Sequence, residues 1–268
     1  MPASPVVSRA ALHFWEEPCI SGKNGSGTVF FTGCSLHCVF CQNSDISAKN
    51  KGKAITTGQL AEIFKRLEDE GAHNINLVTP THFVDSIIKA LDIYKPNIPV
   101  VYNSSGYENV DTIKALDDYV DIFLMDFKYI DSNKACLYSG AKDYIDICKL
   151  ALLQAYSQQS KCVFDDNGML QKGVIVRHLL MPQATRDAIE IFEWVRQNMP
   201  NAYFSIMSQY TPCYKAVDMP VINRKITSRE YDKVVNYIVD SGFENCYIQD
   251  ISSANKNYIP NFNFTGIF

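Results

Sequence analysis

Several things are missing from this 268-residue sequence, and each absence excludes a class of protein. No apolar run reaches the ~18–20 residues that span a bilayer. The stretch from Met1 to Ala11 has no apolar segment of a secretory signal. A cytoplasmic protein with no membrane partner is therefore expected. Positive charge is not in excess: 25 Lys and Arg stand against 29 Asp and Glu, a formal net charge of −4. That argues against binding a nucleic-acid backbone, which needs a basic surface. Linkers rich in Pro, Gly or Ser, internal repeats and low-complexity stretches are also missing, so one domain is the simpler reading. Outside one cluster of three, paired cysteine spacing is missing as well. There are nine cysteines, an odd number, and six of them are scattered. A disulfide framework does not look like that, whereas buried small hydrophobes do.

What is present is ordinary globular composition, 47% hydrophobic and 20% charged, with ample length for a core. Short apolar runs alternate with amphipathic stretches. Gly27 to Thr32, Asn74 to Thr79, Ile98 to Asn103, Val120 to Asp126, Val174 to Leu180 and Tyr203 to Ser208 read as six strands. Cys246 to Gln249 reads as a short final one. Thr57 to Glu70 repeats apolar residues at Leu60, Ile63, Phe64 and Leu67, a helical spacing. Thr56 or Thr57 offers the N-cap and Gly71 the stop. Further helices are expected at Phe83 to Tyr94, Val110 to Leu116, Lys142 to Gln158, Thr185 to Gln197 and Ser228 to Ser241. The run Asp165 to Gly168 reads as a turn. Alternation of this kind implies a parallel sheet with right-handed crossovers. An open doubly wound sheet and a curved partial barrel both remain compatible with it. The tail from Asn257 to Phe268 is aromatic and uncharged apart from the carboxylate, and should dock on the body.

Cys34, Cys38 and Cys41 crowd into one loop directly after the first of these strands, in the pattern C-x-x-x-C-x-x-C. Three thiolates so spaced can face one point and suit zinc or an iron–sulfur cluster. A structural zinc site wants a fourth protein ligand, and none is evident. A [4Fe–4S] cubane held by three cysteines leaves one iron open, which is a catalytic arrangement.

With Phe40 as its aromatic, the loop resembles the C-x-x-x-C-x-aromatic-C signature of the radical S-adenosylmethionine (radical SAM) superfamily. The wider wording resembles homologues of pyruvate formate-lyase activating enzyme, from about Ser8 to about Asp250. It is carried by Trp15-Glu16-Glu17-Pro18, Cys41-Gln42-Asn43, Asn74 to His82, Tyr102 to Tyr107, Val176 to Leu179 and Ser208-Gln209-Tyr210. The resemblance implies an α/β fold, a (β/α)6 partial TIM barrel in a single domain. Residues 27–250 would form it, 1–26 would be an N-terminal extension and 251–268 a docking tail. Cys34, Cys38 and Cys41 would hold the [4Fe–4S] cluster. S-adenosylmethionine would chelate the open iron and be cleaved reductively to a 5′-deoxyadenosyl radical that takes hydrogen from a substrate. An oxidoreductase working anaerobically is implied, with a one-electron donor such as flavodoxin or ferredoxin. It would activate a glycyl-radical enzyme, or modify a peptide or small metabolite; a non-catalytic iron–sulfur protein is the remaining alternative. A second cluster is not expected, because the other cysteines show no C-x-x-C spacing.

In barrels the site lies at the C-terminal strand ends, and here each apolar run closes in polar residues. These give the cofactor-binding candidates Thr79, Thr81, Asn103, Ser105, Asp126, Lys128, Arg177 and Gln209, beside Phe40. Arg177 is flanked by apolar residues and must meet a ligand or pair with a carboxylate such as Asp126. Asp126 and Lys128 lie two apart and share a face if the strand continues. His82 caps or opens a helix, or acts in the site. Many superfamily members carry a Gly-Gly-Glu-Pro-like segment after the second strand. Thr79-Pro80-Thr81-His82 stands there instead, which leaves Thr79 and Thr81 to hold the methionyl amine.

Overall fold

A computed structural model describes residues 4–253 and 260–267. The parts of the expected tail at 257–259 and 268 lie outside the described residues. In chain order the elements begin with β1 (Val6–His13), α1 (Pro18–Ser21), β2 (Ser26–Phe31), α2 (Ser44–Ser47), β3 (Lys53–Ala54) and α3 (Thr57–Asp69). Then come β4 (Ile75–Val78), α4 (Val84–Ile93), β5 (Val100–Ser104), α5 (Val110–Lys114), β6 (Ile122–Asp126), α6 (Ser132–Ser139) and α7 (Tyr144–Gln158). The chain continues through β7 (Val163–Phe164), β8 (Leu170–Leu179), α8 (Thr185–Asn198), β9 (Tyr203–Met207), α9 (Ser228–Asp240) and β10 (Cys246–Ile248).

The sheet runs β10-β9-β8-β6-β5-β4-β2-β1-β3, with β7 paired to β8 as a hairpin arm. From β2 to β10 along this path every pairing is parallel, while β1 and β3 add an antiparallel edge. This is a mixed α/β fold of the partial TIM-barrel type, in one domain. No described helix is long and apolar enough to cross a membrane.

Alternation along the strands sorts the two faces. Val100, Tyr102, Phe123, Met125, Val174, Val176, Phe204 and Ile206 join the main core with α3, α4, α7 and α8. Their neighbours Val101, Ile122, Leu124 and Ile175 point the other way and pack on Cys19 and Ile20 of α1. Side chains two apart share a face, so Asn103, Asp126 and Arg177 continue the inner rows upward. The inner face is thus apolar at its base and polar at its C-terminal rim.

Within the expected N-terminal extension, β1 and α1 pack directly on the sheet. Strand β1 pairs along the whole length of β2, and α1 plugs the base of the inner face. Asn74 holds the plug: its Nδ2 donates to the Ile20 carbonyl at 2.7 Å and its Oδ1 accepts from Ser26 Oγ at 2.6 Å. The described part of the tail lies along β1, where Phe264 N donates to Ser8 O and Ala10 N donates to Thr265 O.

Candidate active site

The loop after β2 begins at Gly33, whose φ is +80°. A side chain there is disfavoured by that φ and would also press on the His82 ring, so glycine is needed to turn the chain. His82 packs under this turn. The loop is then clamped from several sides. Val39 N donates to Tyr138 O at 2.8 Å, Ala216 N donates to Val39 O at 2.9 Å, and Gly33 N donates to Ile46 O at 3.0 Å. Cys213 Sγ lies 3.2 Å from Phe40 O. Phe40 is buried between Tyr129 and Tyr210, ring centroids 6.5 and 6.0 Å away.

The three loop cysteines are in different settings. Cys38 Sγ accepts from Ser139 Oγ at 3.0 Å, and Cys41 Sγ lies 3.2 Å from Ser47 Oγ. Burial, reinforced by neighbouring Cys38, pushes the Cys34 thiol up to about 12. Burial likewise raises Cys38, against the pull of Lys128. Among the described residues no three His, Cys, Asp or Glu side chains gather tightly enough to hold a single metal ion.

These cysteines form one wall of a cavity of about 240 Å³ at the C-terminal ends of the strands. Phe40 stands in the same wall. Thr79 follows β4, Asn103 and Ser105 follow from β5, Asp126 and Lys128 from β6, Arg177 from β8 and Gln209 from beyond β9. Of the cofactor-binding candidates Thr81 is the one that the cavity does not reach, and His82 does not line it either. Thr81 opens a 3-10 turn, and its hydroxyl is turned to Glu108, donating to Oε1 at 2.7 Å. Thr79 adopts φ +56°, strained for a β-branched residue. Its N–H donates to Asn103 O at 2.9 Å, which fixes it to the rim.

Arg177 organises the polar layer. Strand register sets it opposite Asp126. Its Nε donates to Asp126 Oδ1 at 2.9 Å, one terminal nitrogen to Glu16 Oε2 at 3.0 Å and the other to Asn103 Oδ1 at 2.6 Å. All three guanidinium nitrogens are thus engaged by the chain itself, Asp126 being the carboxylate that the sequence offered as the alternative to a ligand. Asp126 also takes the Lys128 ammonium. Burial pushes the Asp126 carboxyl up, but Lys128 and Arg177 outweigh it and hold the group below the usual carboxylate range. For Lys128 burial works against the charge, and Asp126 more than restores it.

Glu16 and Glu17 escaped the strand-end argument, because they lie on the connection from β1 to the plug. Glu16 Oε1 accepts from Asn76 and Asn103 at 3.3 Å each. The available signal was two adjacent carboxylates inside an otherwise apolar stretch, His13 to Ile20. Glu108 also escaped notice. It is buried beneath the rim, where Tyr102 donates to it at 3.1 Å. Burial pushes its carboxyl up to about 7, with Thr81, Tyr102 and Ser104 opposing.

Residues 28–152 match the model of the radical SAM superfamily. Domains of this family use a [4Fe–4S] cluster and S-adenosylmethionine. The chain is 36% identical over 234 residues to the uncharacterized protein MJ0674 of Methanocaldococcus jannaschii, covering 84% of this chain and 64% of that one. The fold is similar to that of Streptococcus suis SuiB, solved with its precursor peptide SuiA, at TM-score 0.56 and 17% identity, over 82% of this chain and 47% of that one. SuiB has also been solved with S-adenosylmethionine bound, and the match has the same TM-score, over 82% of this chain and 48% of that one. Methylornithine synthase (PylB) is similar at TM-score 0.56 and 14% identity, over 96% of this chain and 72% of that one.

Proposed function

We propose that the chain is a radical SAM enzyme whose cluster sits on Cys34, Cys38 and Cys41 and whose S-adenosylmethionine fills the cavity beside them. The observation that carries this is the meeting, in one cavity, of three cysteines from a single loop with polar residues from five strand ends. The donor set fits the group: soft sulfur ligands suit iron–sulfur chemistry, and three of them leave one iron for the cofactor. In a cubane each thiolate meets its own iron, so the sulfurs need not converge as a lone ion would demand. When bound, the cluster would supply one electron for the reductive cleavage of S-adenosylmethionine, the chemistry that yields a radical able to take hydrogen from substrate.

The residues of the chain bind and enclose. Phe40 and Leu36 bury the loop and keep water from its inner side. Thr79, Asn103, Ser105 and Gln209 line the wall with hydrogen-bonding groups suited to a ribose and an amino-acid moiety. Lys128, paired to Asp126, lies near enough to Cys38 to favour its thiolate. A flavodoxin or ferredoxin would supply the electron.

The substrate is a peptide or a small metabolite. The fold shared with SuiB, a protein solved with a precursor peptide, supports the former. Activation of a glycyl-radical enzyme is a second reading, supported by the resemblance in the segments from Trp15 to Tyr210. The test is anaerobic reconstitution. Iron and sulfide should reach one [4Fe–4S] cluster per chain, lost in Cys34→Ala, Cys38→Ala or Cys41→Ala and kept in Cys136→Ala. The dithionite-reduced protein should release 5′-deoxyadenosine slowly. Stoichiometric zinc with no iron, or no deoxyadenosine from an intact reduced cluster, refutes the proposal.

A further inference from the structure

A second cavity, of about 270 Å³, lies between the segment Phe14–Pro18 and strands β8, β9 and β10. It shares Trp15, Glu16, Arg177, Met207 and Gln209 with the cysteine-lined cavity, so the two have a common wall. Glu17 lines the second cavity alone. Its side chain is only 8% exposed, yet Oε2 meets no hydrogen-bond partner. It occupies the N-cap position of α1 but makes no capping bond. A buried carboxyl oxygen left unmatched is costly, and folded chains rarely keep one without a use.

The neighbouring charges do not answer it. Arg177 is the nearest cation, but its three nitrogens are spent on Asp126, Glu16 and Asn103. Lys128 is held by Asp126. The buried layer thus contains two cations, Arg177 and Lys128, and three carboxylates, Asp126, Glu16 and Glu17. One carboxyl group is in surplus, and it belongs to a residue that lines the cavity. Burial accordingly pushes the Glu17 carboxyl up, with Glu16 and against Arg177 and a hydrogen bond from Ser205 to the carboxyl. The mouth has a different character: Phe14, Trp15 and Ile248 are large, apolar and between 37% and 52% exposed. The amides of Gln209 and Gln249 bond to each other at 3.3 Å, and Ser208 N donates to Gln249, so they add little unmet polarity.

We propose that this second cavity is the substrate pocket and recognises a primary ammonium on an apolar stem, the head meeting Glu17 and the stem lying along Phe14, Trp15 and Ile248. The word substrate rests on the radical SAM reading; the ammonium site does not. An ammonium brings both the donor that Oε2 lacks and the positive charge the layer lacks, and aromatic walls favour a cation as well. The sulfonium of S-adenosylmethionine is not the intended cation, because Glu17 is absent from the cavity that holds the cysteines.

The test is calorimetric titration of the anaerobically reconstituted chain, with S-adenosylmethionine present, against pentylamine, pentan-1-ol and pentanoate. Pentylamine should bind at least about tenfold more tightly than either, the effect of one charge-assisted bond. Nα-acetyl-lysine amide distinguishes the source: tighter binding than pentylamine assigns a peptide-borne amine, weaker binding a free one. Glu17→Gln should level amine and alcohol while leaving affinity for S-adenosylmethionine within about twofold. If that variant does not fold, Glu17→Asp should reduce the amine preference by drawing the charge back from the cavity. Equal binding of amine and alcohol by the wild type overturns the proposal, and so does an amine preference that survives both variants. Amine selectivity without S-adenosylmethionine binding would refute the cofactor reading and leave the ammonium site standing.

Discussion

Glu108 should make the stability of this protein fall as pH rises across neutrality. Its carboxyl is 1% exposed and accepts from Thr81 and Tyr102, with no cation bonded to it. Burial pushes it from 4.5 to about 7. Between those values the folded chain holds a proton that the unfolded chain has released, so the unfolded state binds fewer protons and stability declines with pH. The contribution is whole below pH 4.5 and is lost as pH rises through about 7. At about 1.4 kcal/mol per pKa unit, the part falling between pH 5 and pH 8 is roughly 2.5 kcal/mol. Glu108→Gln keeps the shape and cannot ionise. Urea unfolding of the cluster-free, reduced chain and of this variant at pH 5, 6, 7 and 8 isolates the effect, since other titrating groups cancel in the difference. The stability gap should move toward the variant by roughly 2.5 kcal/mol from pH 5 to pH 8. A gap that stays constant, or moves the other way, would refute the reasoning.

Other expectations follow from the same geometry. Arg177→Ala strands Glu16 and leaves Asp126 with Lys128 alone, and losing one partner of a buried pair costs about 3–5 kcal/mol; a thermal melt should show a large drop, and an unchanged Tm would mean the layer is well solvated. Gly106 has φ +77°, and a Cβ there would overlap the Asp126 carbonyl, whereas Gly71 at φ +83° has open space around it. Gly106→Ala should therefore destabilise far more than Gly71→Ala, for which conformation alone costs about 1–2 kcal/mol; equal losses in denaturant titrations would contradict the close approach.

The six expected strands appear as β2, β4, β5, β6, β8 and β9 because each is a compact apolar run between turn signals. The short run at Cys246 appears as β10, and Asp165 to Gly168 turns the hairpin between β7 and β8. The helix from Thr57 was legible to its cap, since Thr56 and Gln59 form the reciprocal capping box. What escaped has physical reasons. Strand β1 mixes Ser8, Arg9 and His13 into its apolar residues and owes its existence to pairing with β2. Helix α1 is four residues long, too short for a periodic signal, and is held by Asn74, which lies 54 residues further along the chain from Ile20, just before β4. Helix α6 has no clear apolar stripe, though Asp131 caps it twice. In the site, the strand-end argument named Asn103, Asp126 and Arg177, and the register of β6 on β8 sets two of them side by side; the strand ends at Asp126, so the parity expected to carry on to Lys128 does not extend that far. Parity could not tell that Thr81 would turn to Glu108, because Thr81 stands in a 3-10 turn where alternation no longer applies.

The vertical order of the inner face explains why the N-terminal segment belongs to the site. At the base, α1 fills with Cys19 and Ile20 the space that a closed barrel fills with its own strands. That plug fixes where the chain before it must pass, and so brings Glu16 and Glu17 to the height of Arg177. Without Glu16, Arg177 would have only Asp126 as a carboxylate partner, and Asp126 is shared with Lys128. The ion layer is therefore completed by a segment outside the β/α alternation. It stands directly beneath the cavity lined by the three cysteines and forms part of its floor. A floor in which Arg177 is paired on all three nitrogens positions whatever lies above it and leaves recognition to the groups still unpaired. By that logic Arg177 sets geometry, and the unmatched Glu17 sets which molecule enters from the side.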